Sequence, residues 1–114
     1  MGRGRVLGRG VRRGEVWLAQ VGGKLRPVVV VTRDEVLDVR VNVTVAEIST
    51  TARGLVVEVP IDADCGIDQV SVINCDGLHT VSQRRLTRRL GSVDDETLEG
   101  ICDGVTAALG CGQR

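Results

Sequence analysis

The stretch that most constrains the fold is residues 25–32, in which Leu-Arg-Pro leads directly into four consecutive valines. β-Branched residues favour extended structure, and a continuous apolar run of this length is typical of a strand covered on both faces. Pro27 cannot donate a ladder hydrogen bond, so it predicts the beginning or the edge of that strand. It also favours an extended conformation for Arg26. We therefore predict a buried central strand with a cation at its mouth.

The guanidinium of Arg26 cannot follow the valines into a core without a partner. Its charge and its five N–H donors must face solvent, a carboxylate or a phosphate. Residue types leave two interpretations open: an arginine that is salt-bridged to one of the acids, or an arginine that binds an anionic ligand.

Length and composition set further limits. A chain of 114 residues is large enough for one domain with a modest core. Trp17 is its only aromatic residue, so a nucleic-acid ligand would be bound without the base stacking that most single-strand binders use. Fifteen basic and fifteen acidic residues balance, but residues 1–40 carry nine basic against four acidic ones. A neutral total can thus include a basic face that attracts phosphates.

The cysteines argue against a metal centre. The four cysteines form no C-x-x-C pair, and the chain has one histidine, so we expect no metal and no cofactor. Neither a secretory signal nor a long apolar run is apparent. We therefore predict a cytoplasmic protein with reduced thiols and no membrane association.

The chain divides into three parts. Residues 1–13 are rich in Gly and Arg and predict a flexible basic arm, which is either a solvated tail or an RNA-contacting segment. Residues 14–110 are expected to form a single domain, and residues 111–114 a tail.

Apolar patterning predicts five to seven short strands in that domain. Gly22-Gly23 is a hairpin signal, residues 33–38 are turn-like, and Asp76-Gly77 reads as a turn between two strands. A short helical turn is expected at 82–89, with Leu86 facing inward. The strands are predicted at residues 14–21, 25–32, 39–49, 55–60, 70–75 and 78–81.

The final segment predicts a helix. Ser92 or Asp94 can serve as its N-cap, and Gly110 can end it. Gly100 and Gly104 weaken it but suggest close approach by a neighbouring element. One apolar stripe follows helical spacing: Leu98, Ile101, Cys102, Val105 and Leu109. Strands followed by one helix indicate a small, strongly curved sheet or barrel.

Candidate chemistry is concentrated at predicted strand ends. Cations and hydroxyls there can hold a phosphodiester and stabilise negative charge, and RNA carries its own nucleophile in the 2′-OH. Residue types alone therefore indicate a possible phosphate binder. The residues concerned are Lys24, Arg26, Arg53, Ser49, Thr50, Thr51, Asp76 and His79.

Several ordered motifs point to one family. Residues 13–17 (RGEVW) precede 25–31 (LRPVVVV), and 45–50 (VAEIST), 74–81 (NCDGLHTV), 83–86 (QRRL) and 94–98 (DDETL) follow in order. Over about residues 13–110 the chain resembles the MazF/PemK family of bacterial toxins. The resemblance implies a mainly β fold with α, a small SH3-like β-barrel of the CcdB/PemK type with a C-terminal helix. It also implies a homodimer.

The activity implied by the resemblance is sequence-specific, metal-independent cleavage of single-stranded RNA. The 2′-OH attacks the adjacent phosphorus and leaves a 2′,3′-cyclic phosphate and a 5′-hydroxyl. A cognate antitoxin of the MazE type would neutralise the toxin by occupying the RNA groove with its C-terminal tail.

The resemblance also implies residue roles. Arg26 would stabilise the phosphorane, and Ser49 and Thr50 would be the catalytic hydroxyls, with Ser49 in the position where the family usually has threonine. Substrate-binding roles are implied for Lys24, Arg53, Asp76 and His79, although His79 can equally be a structural histidine. Cys75 is expected in the core.

Two alternatives stay open. A related barrel family binds and poisons DNA gyrase without catalysis, and the retained Arg-Pro strand and the Ser49-Thr50 end argue against it. A degenerate toxin that keeps only antitoxin binding is the other alternative, because Ser49, Gly77 and His79 depart from the family pattern.

Overall fold

The structure is a computed structural model that describes residues 10–52, 54, 57–61, 65–67 and 69–110. Within that part of the chain, six strands and two α-helices follow one another. They are β1 (Glu15–Val21), β2 (Lys24–Val30), α1 (Asp34–Leu37), β3 (Asn42–Ser49), β4 (Glu58–Ile61), β5 (Ser71–Ser82), β6 (Leu86–Ser92) and α2 (Asp95–Leu109).

The strands form one antiparallel sheet in the order β4-β5-β3-β2-β1-β6. Strand periodicity sends alternate side chains to opposite faces, and each face has its own apolar cluster. One cluster includes Val16, Val29 and Ile73 and packs against Ile101 of α2, whereas the other includes Trp17, Val28 and Val45. The expected barrel-like fold with a C-terminal helix is confirmed, with β4 and β6 as the edges of a sheet that is not closed.

The central strand is formed as predicted. Residues 28–30 are completely buried, and β1 and β2 form a hairpin through Gly22 and Gly23. Both glycines have positive φ, 62° and 79°, which is the backbone that two-residue hairpin turns require.

Strand β2 pairs with β3 over only part of its length. The register joins Val28 to Glu47, Val29 to Ala46 and Val30 to Val45, and it ends there. Pro27 precedes Val28 and has no N–H that could continue the hydrogen bonding to β3. The first half of β2 is therefore unpaired on its β3 side, which leaves a gap between the two strands.

The expected start of β3 at Val39 is wrong by three residues. Val39 and Val41 are 68% and 57% exposed, and residues 34–37 form the short helix α1 where a turn was expected. The buried Gln83 explains the difference. Its amide donates to the carbonyls of Leu37 and Arg40, at 2.8 and 2.9 Å, and its backbone N–H donates to the carbonyl of Val41. These carbonyls are thus satisfied outside the ladder.

The expected turn at Asp76-Gly77 is also wrong, because β5 continues through it as one strand. Ala46 pairs with Leu78 and Glu47 with Asn74, so residues 75–77 bulge out of the pairing with β3. The backbone N–H of Cys75 donates instead to the carbonyl of Val57 at 2.9 Å. A one-sided bulge of this kind bends a strand without ending it.

The segment 82–89 is helical only at Gln83–Arg85, a 3₁₀ turn, after which β6 begins at Leu86. Leu86 is completely buried, as expected. β6 pairs with β1 through two register shifts, and the Thr87 hydroxyl donates to the carbonyl of Leu18 at 3.0 Å. The prediction missed this strand because its two arginines, glycine and threonine do not alternate with apolar residues as in a half-buried strand.

The C-terminal helix is confirmed with Asp94 as its N-cap and Gly110 as its left-handed C-cap. The Asp94 carboxylate accepts from the Thr97 N–H at 2.8 Å. Close packing occurs at Gly104, where an added Cβ would stand 2.6 Å from the Cys75 sulfur. Gly100 has more room, since its added Cβ would meet the methyls of Val59 at 3.7 and 3.9 Å.

The predicted boundary between arm and domain falls at Arg13, and residues just before it already pack on the domain. Val11 is buried, and the Arg13 N–H donates to the Asp34 carboxylate at 2.7 Å. Residues 1–9 and 111–114 lie outside the described part of the chain. Across the described residues, no helix has the length and apolar character needed to cross a membrane.

Candidate active site

The gap between β2 and β3 opens into a cleft with a volume of about 660 Å³. Its floor is aliphatic and includes Leu18, Pro27 and Ile48, and Gln69 and Ser71 line it further along. Of the residues that the structure describes, three cations and one carboxylate line the same cleft: Lys24, Arg26, Arg88 and Glu47. We call this the β2–β3 groove. Its charge favours an anionic ligand.

Arg26 lies at the edge of this groove, on the same face of β2 as Val28. Its Nη1 donates to Glu47 Oε1 at 2.9 Å, so the structural interpretation of Arg26 as an ion-paired arginine is correct. The guanidinium is not used up by that bond, because only Nη1 makes a hydrogen bond within the described residues and Nη2 is left for a ligand; Nε is buried and also lacks a partner there. One side of the guanidinium is thus anchored while further donors remain for a ligand.

Glu47 lies on β3 and its carboxylate contacts side chains on both neighbouring strands, β2 and β5. Oε1 accepts from Arg26 on β2, and Oε2 is hydrogen-bonded to Nε2 of His79 on β5. The side chains of Glu47 and His79 are 25% and 35% exposed. Burial alone would raise the pKa of Glu47, but the hydrogen bonds and charges of His79 and Arg26 outweigh it and lower the pKa below its ordinary value. The carboxylate is therefore ionised at neutral pH.

The two predicted hydroxyl residues lie on the other side of the gap. Ser49 ends β3 and Thr50 follows it, and both line the groove. The Ser49 Oγ accepts from the Thr51 N–H at 3.0 Å, a short-range turn that holds the strand end in place. Arg26 and the two hydroxyls, predicted from the sequence as catalytic, thus line one cleft.

The four predicted substrate-binding residues are distributed differently. Lys24 lines the groove, whereas His79 reaches it only through Glu47 and itself lines a shallower depression beside the β1–β2 turn. Asp76 is exposed in the β5 bulge and does not line the groove. Arg53 lies outside the described residues. Roles for Asp76 and Arg53 therefore stay predictions.

Sequence reasoning missed Glu47 and did not distinguish Arg88 from the other arginines of residues 84–89. The signal for Glu47 was available, because it continues the face of Val43 and Val45 and a carboxylate on a burying face needs a cation. Arg88 was masked by its neighbours, since a run of arginines is usually a solvated face. Only the pairing of β6 with β1 shows that Arg88 lies beside the groove and differs in this from the neighbouring arginines.

No group of three or more metal-ligating side chains that could hold a metal ion occurs among the described residues. Cys65, Cys75 and Cys102 form no disulfide bond with one another in the described part of the chain. Burial, with smaller contributions from Cys102 and Asp76, raises the pKa of Cys75 to about 11. This thiol is protonated at neutral pH and is a core residue, as expected.

Comparison with known proteins identifies the family. Residues 12–109 match the profile of the PemK-like, MazF-like toxins of type II toxin–antitoxin systems. The chain belongs to this family. The match covers β1 through α2, including Arg26 and both hydroxyl residues. The expected family is thereby confirmed.

Three similar proteins from Mycobacterium tuberculosis illustrate the match. The chain is similar to endoribonuclease MazF3, with 48% identity over 68 residues, which is 60% of this chain and 66%, just under two thirds, of MazF3. Its similarity to the probable endoribonuclease MazF2 is 36% over 102 residues, covering 89% of this chain and all of MazF2. The solved structure of the toxin MazF-mt6 superposes with a TM-score of 0.80 at 38% identity, covering 84% of this chain and 96% of that one.

Proposed function

We propose that this toxin is an endoribonuclease that cleaves single-stranded RNA at specific sequences without a metal ion. The observation that carries the proposal is the position of Arg26, held by Glu47 at the edge of a cationic groove whose opposite side carries Ser49 and Thr50. The family match and the endoribonuclease names of MazF2 and MazF3 support the same conclusion.

The reaction needs charge stabilisation and alignment more than a protein nucleophile. The 2′-oxygen of RNA attacks the adjacent phosphorus, the bond from phosphorus to the 5′-oxygen breaks, and a proton moves from the 2′-OH while one is delivered to the leaving oxygen. The products are a 2′,3′-cyclic phosphate and a 5′-hydroxyl. Arg26 would bind the phosphoryl oxygens and stabilise the added negative charge of the phosphorane.

The hydroxyls of Ser49 and Thr50 would donate to the same phosphate from the other side of the gap. Glu47 would hold the guanidinium in one orientation, which keeps its free donors directed at the ligand. A cation that is fixed in this way supplies the charge that a metal ion supplies in other nucleases.

Neutralisation by an antitoxin of the MazE type belongs to the same proposal. The groove combines an aliphatic floor with three cations, a surface suited to an acidic or apolar peptide tail as well as to RNA. We also propose that the toxin acts in the cytoplasm as a homodimer.

The test is incubation of the purified protein with total RNA in EDTA, followed by sequencing of new 5′-hydroxyl ends. We expect recurrent cut sites that define a motif. Arg26→Ala should reduce cleavage about 100-fold to 1,000-fold, the range observed when one donor to a developing oxyanion is removed. Its thermal unfolding should show that the variant is folded.

Two outcomes would overturn the proposal. Arg26→Ala that keeps most of the cleavage would remove Arg26 from the mechanism. Intact RNA together with inhibition of DNA gyrase supercoiling would replace the nuclease by a gyrase poison, and intact RNA with retained antitoxin binding would indicate a degenerate toxin.

A further inference from the structure

The β2–β3 groove does not end at Arg26 but continues across three strands to β6. Pro27 of β2 pairs with Leu18 of β1, and Leu18 pairs in turn with Arg88 of β6. All three residues line the groove. Two strand spacings separate Pro27 from Arg88, a distance of about 10 Å between their backbones. Arg88 therefore lines the same groove as Arg26, but it does so from the face of the sheet that carries Leu18 and Pro27, whereas Arg26 lies on the face of Val28.

The neighbouring arginine on β6 is placed differently. Arg89 pairs with Trp17 on the opposite face of the sheet, and its Nε donates to Glu15 Oε2 at 2.9 Å. Arg88 is exposed, and in the described part of the chain its side chain makes no hydrogen bond or ion pair. Two consecutive arginines thus have separate environments: one is held in an ion pair, and one is unpaired in the groove.

Part of the groove lining is aliphatic. Leu18, Pro27, Ile48 and Leu90 offer no charge and no aromatic ring, so a ribose or a base could lie over them without competing polar contacts. Polyanionic RNA places its charges at intervals along the backbone, which a groove with spaced cations and an apolar floor complements.

We propose that Arg88 is a second phosphate-binding residue of the groove, which binds the RNA backbone at a phosphate beside the one that reacts at Arg26. This inference rests on the proposed ribonuclease function and deepens it. Arg88 would hold the strand in place without touching the reacting atoms, so it is a binding residue rather than a catalytic one.

The experiment compares Arg88→Gln with Arg89→Gln, since both remove one positive charge from adjacent positions of the same strand. The probe is a single-stranded RNA that carries the mapped cleavage motif with a 2′-deoxyribose at the cleaved nucleotide, which removes the nucleophile. Affinity is measured between 50 and 300 mM salt, and thermal unfolding is measured for each full-length variant.

We expect Arg88→Gln to weaken RNA binding about tenfold, the effect of losing one charge-assisted hydrogen bond. The slope of log affinity against log salt should fall by about 0.7, the value for one single-strand phosphate contact. Arg89→Gln should leave that slope unchanged and lower the unfolding temperature instead, because it breaks the pair with Glu15.

Several results would overturn the inference. Equal effects of the two substitutions would indicate general surface charge, and an unchanged slope in Arg88→Gln would exclude a phosphate contact. Loss of antitoxin binding in Arg88→Gln with RNA binding intact would assign the residue to the antitoxin. If the unaltered protein neither cleaves nor binds RNA, the proposed function itself fails, and that result is visible before any variant is made.

Discussion

The two halves of β2 perform different tasks within seven residues. Val28 and Val29 are completely buried and paired with both β1 and β3. Lys24, Arg26 and Pro27, in contrast, pair only with β1 and line an open groove. The change occurs at Pro27, where the ladder to β3 stops. Because Pro27 has no N–H, the first half of β2 stays unpaired with β3 and is available to a ligand. The buried valines that follow hold this half of the strand in place.

A substitution in the buried half of β2 can destabilise the core without altering the charges of the groove. Val29→Ala removes two buried methyl groups from the cluster that contacts α2 and should reduce the free energy of unfolding by about 2–3 kcal/mol. Urea denaturation measures this loss. RNA cleavage per folded molecule should stay close to that of the unaltered protein, which is the reverse of the result expected for Arg26→Ala. A folded Val29→Ala protein without activity would contradict the separation of the two halves.

The same core offers a matched pair of glycines in α2. Gly104→Ala places a Cβ 2.6 Å from the buried Cys75 sulfur and should cost about 2 kcal/mol through overpacking. Gly100→Ala meets only ordinary contacts and should stabilise the protein by up to about 1 kcal/mol through helix propensity. The unfolding temperature should therefore fall for Gly104→Ala and rise for Gly100→Ala, and a rise for both would show that helix propensity alone decides.

The open half has its own, smaller contribution to stability. Glu47→Gln weakens the contacts with Arg26 and His79 and should cost about 1 kcal/mol at pH 7. Because the pKa of Glu47 is lowered in the folded protein, its contribution is complete above the ordinary value of 4.5 and is lost as the pH falls through the folded pKa.

Unfolding curves from pH 7 to pH 3 for Glu47→Gln and the unaltered protein test this sign. The difference between the two proteins should shrink as the pH falls below 4.5. A difference that grows toward low pH would mean that protonated Glu47 is the stabilising form.

Local patterns were sufficient for the parts of the fold that depend on local chemistry. The valine run, the Gly22-Gly23 hairpin and the Asp94-to-Gly110 helix all combine a periodic apolar pattern with suitable end residues. The late start of β3 and the unbroken β5 at Asp76-Gly77 both have their cause in distant partners. Gln83 withdraws the carbonyls of Leu37 and Arg40 from strand pairing, across more than 40 residues, and no local pattern contains that information.

The residues of the candidate site also fall into two groups: those that local sequence predicts and those that depend on a distant partner. Arg26, Ser49 and Thr50 could be selected because Pro27 and the end of β3 mark strand ends in the sequence. Glu47 and Arg88 required the sheet register, since their significance comes from the strand next to them. A side chain's type is encoded locally, whereas its partner is set by topology.

The β1–β2 turn determines how this toxin can diversify. Side chains added at Gly22 or Gly23 would meet no atom within 4 Å, so the turn projects into open space at the end of the strand that carries Lys24 and Arg26. Lengthening a flexible loop costs only about 0.6 kcal/mol for each doubling of its length. Insertions here would add new walls beside the groove while the core and its register stay unchanged. Reshaping of the groove through this one connection is therefore thermodynamically inexpensive.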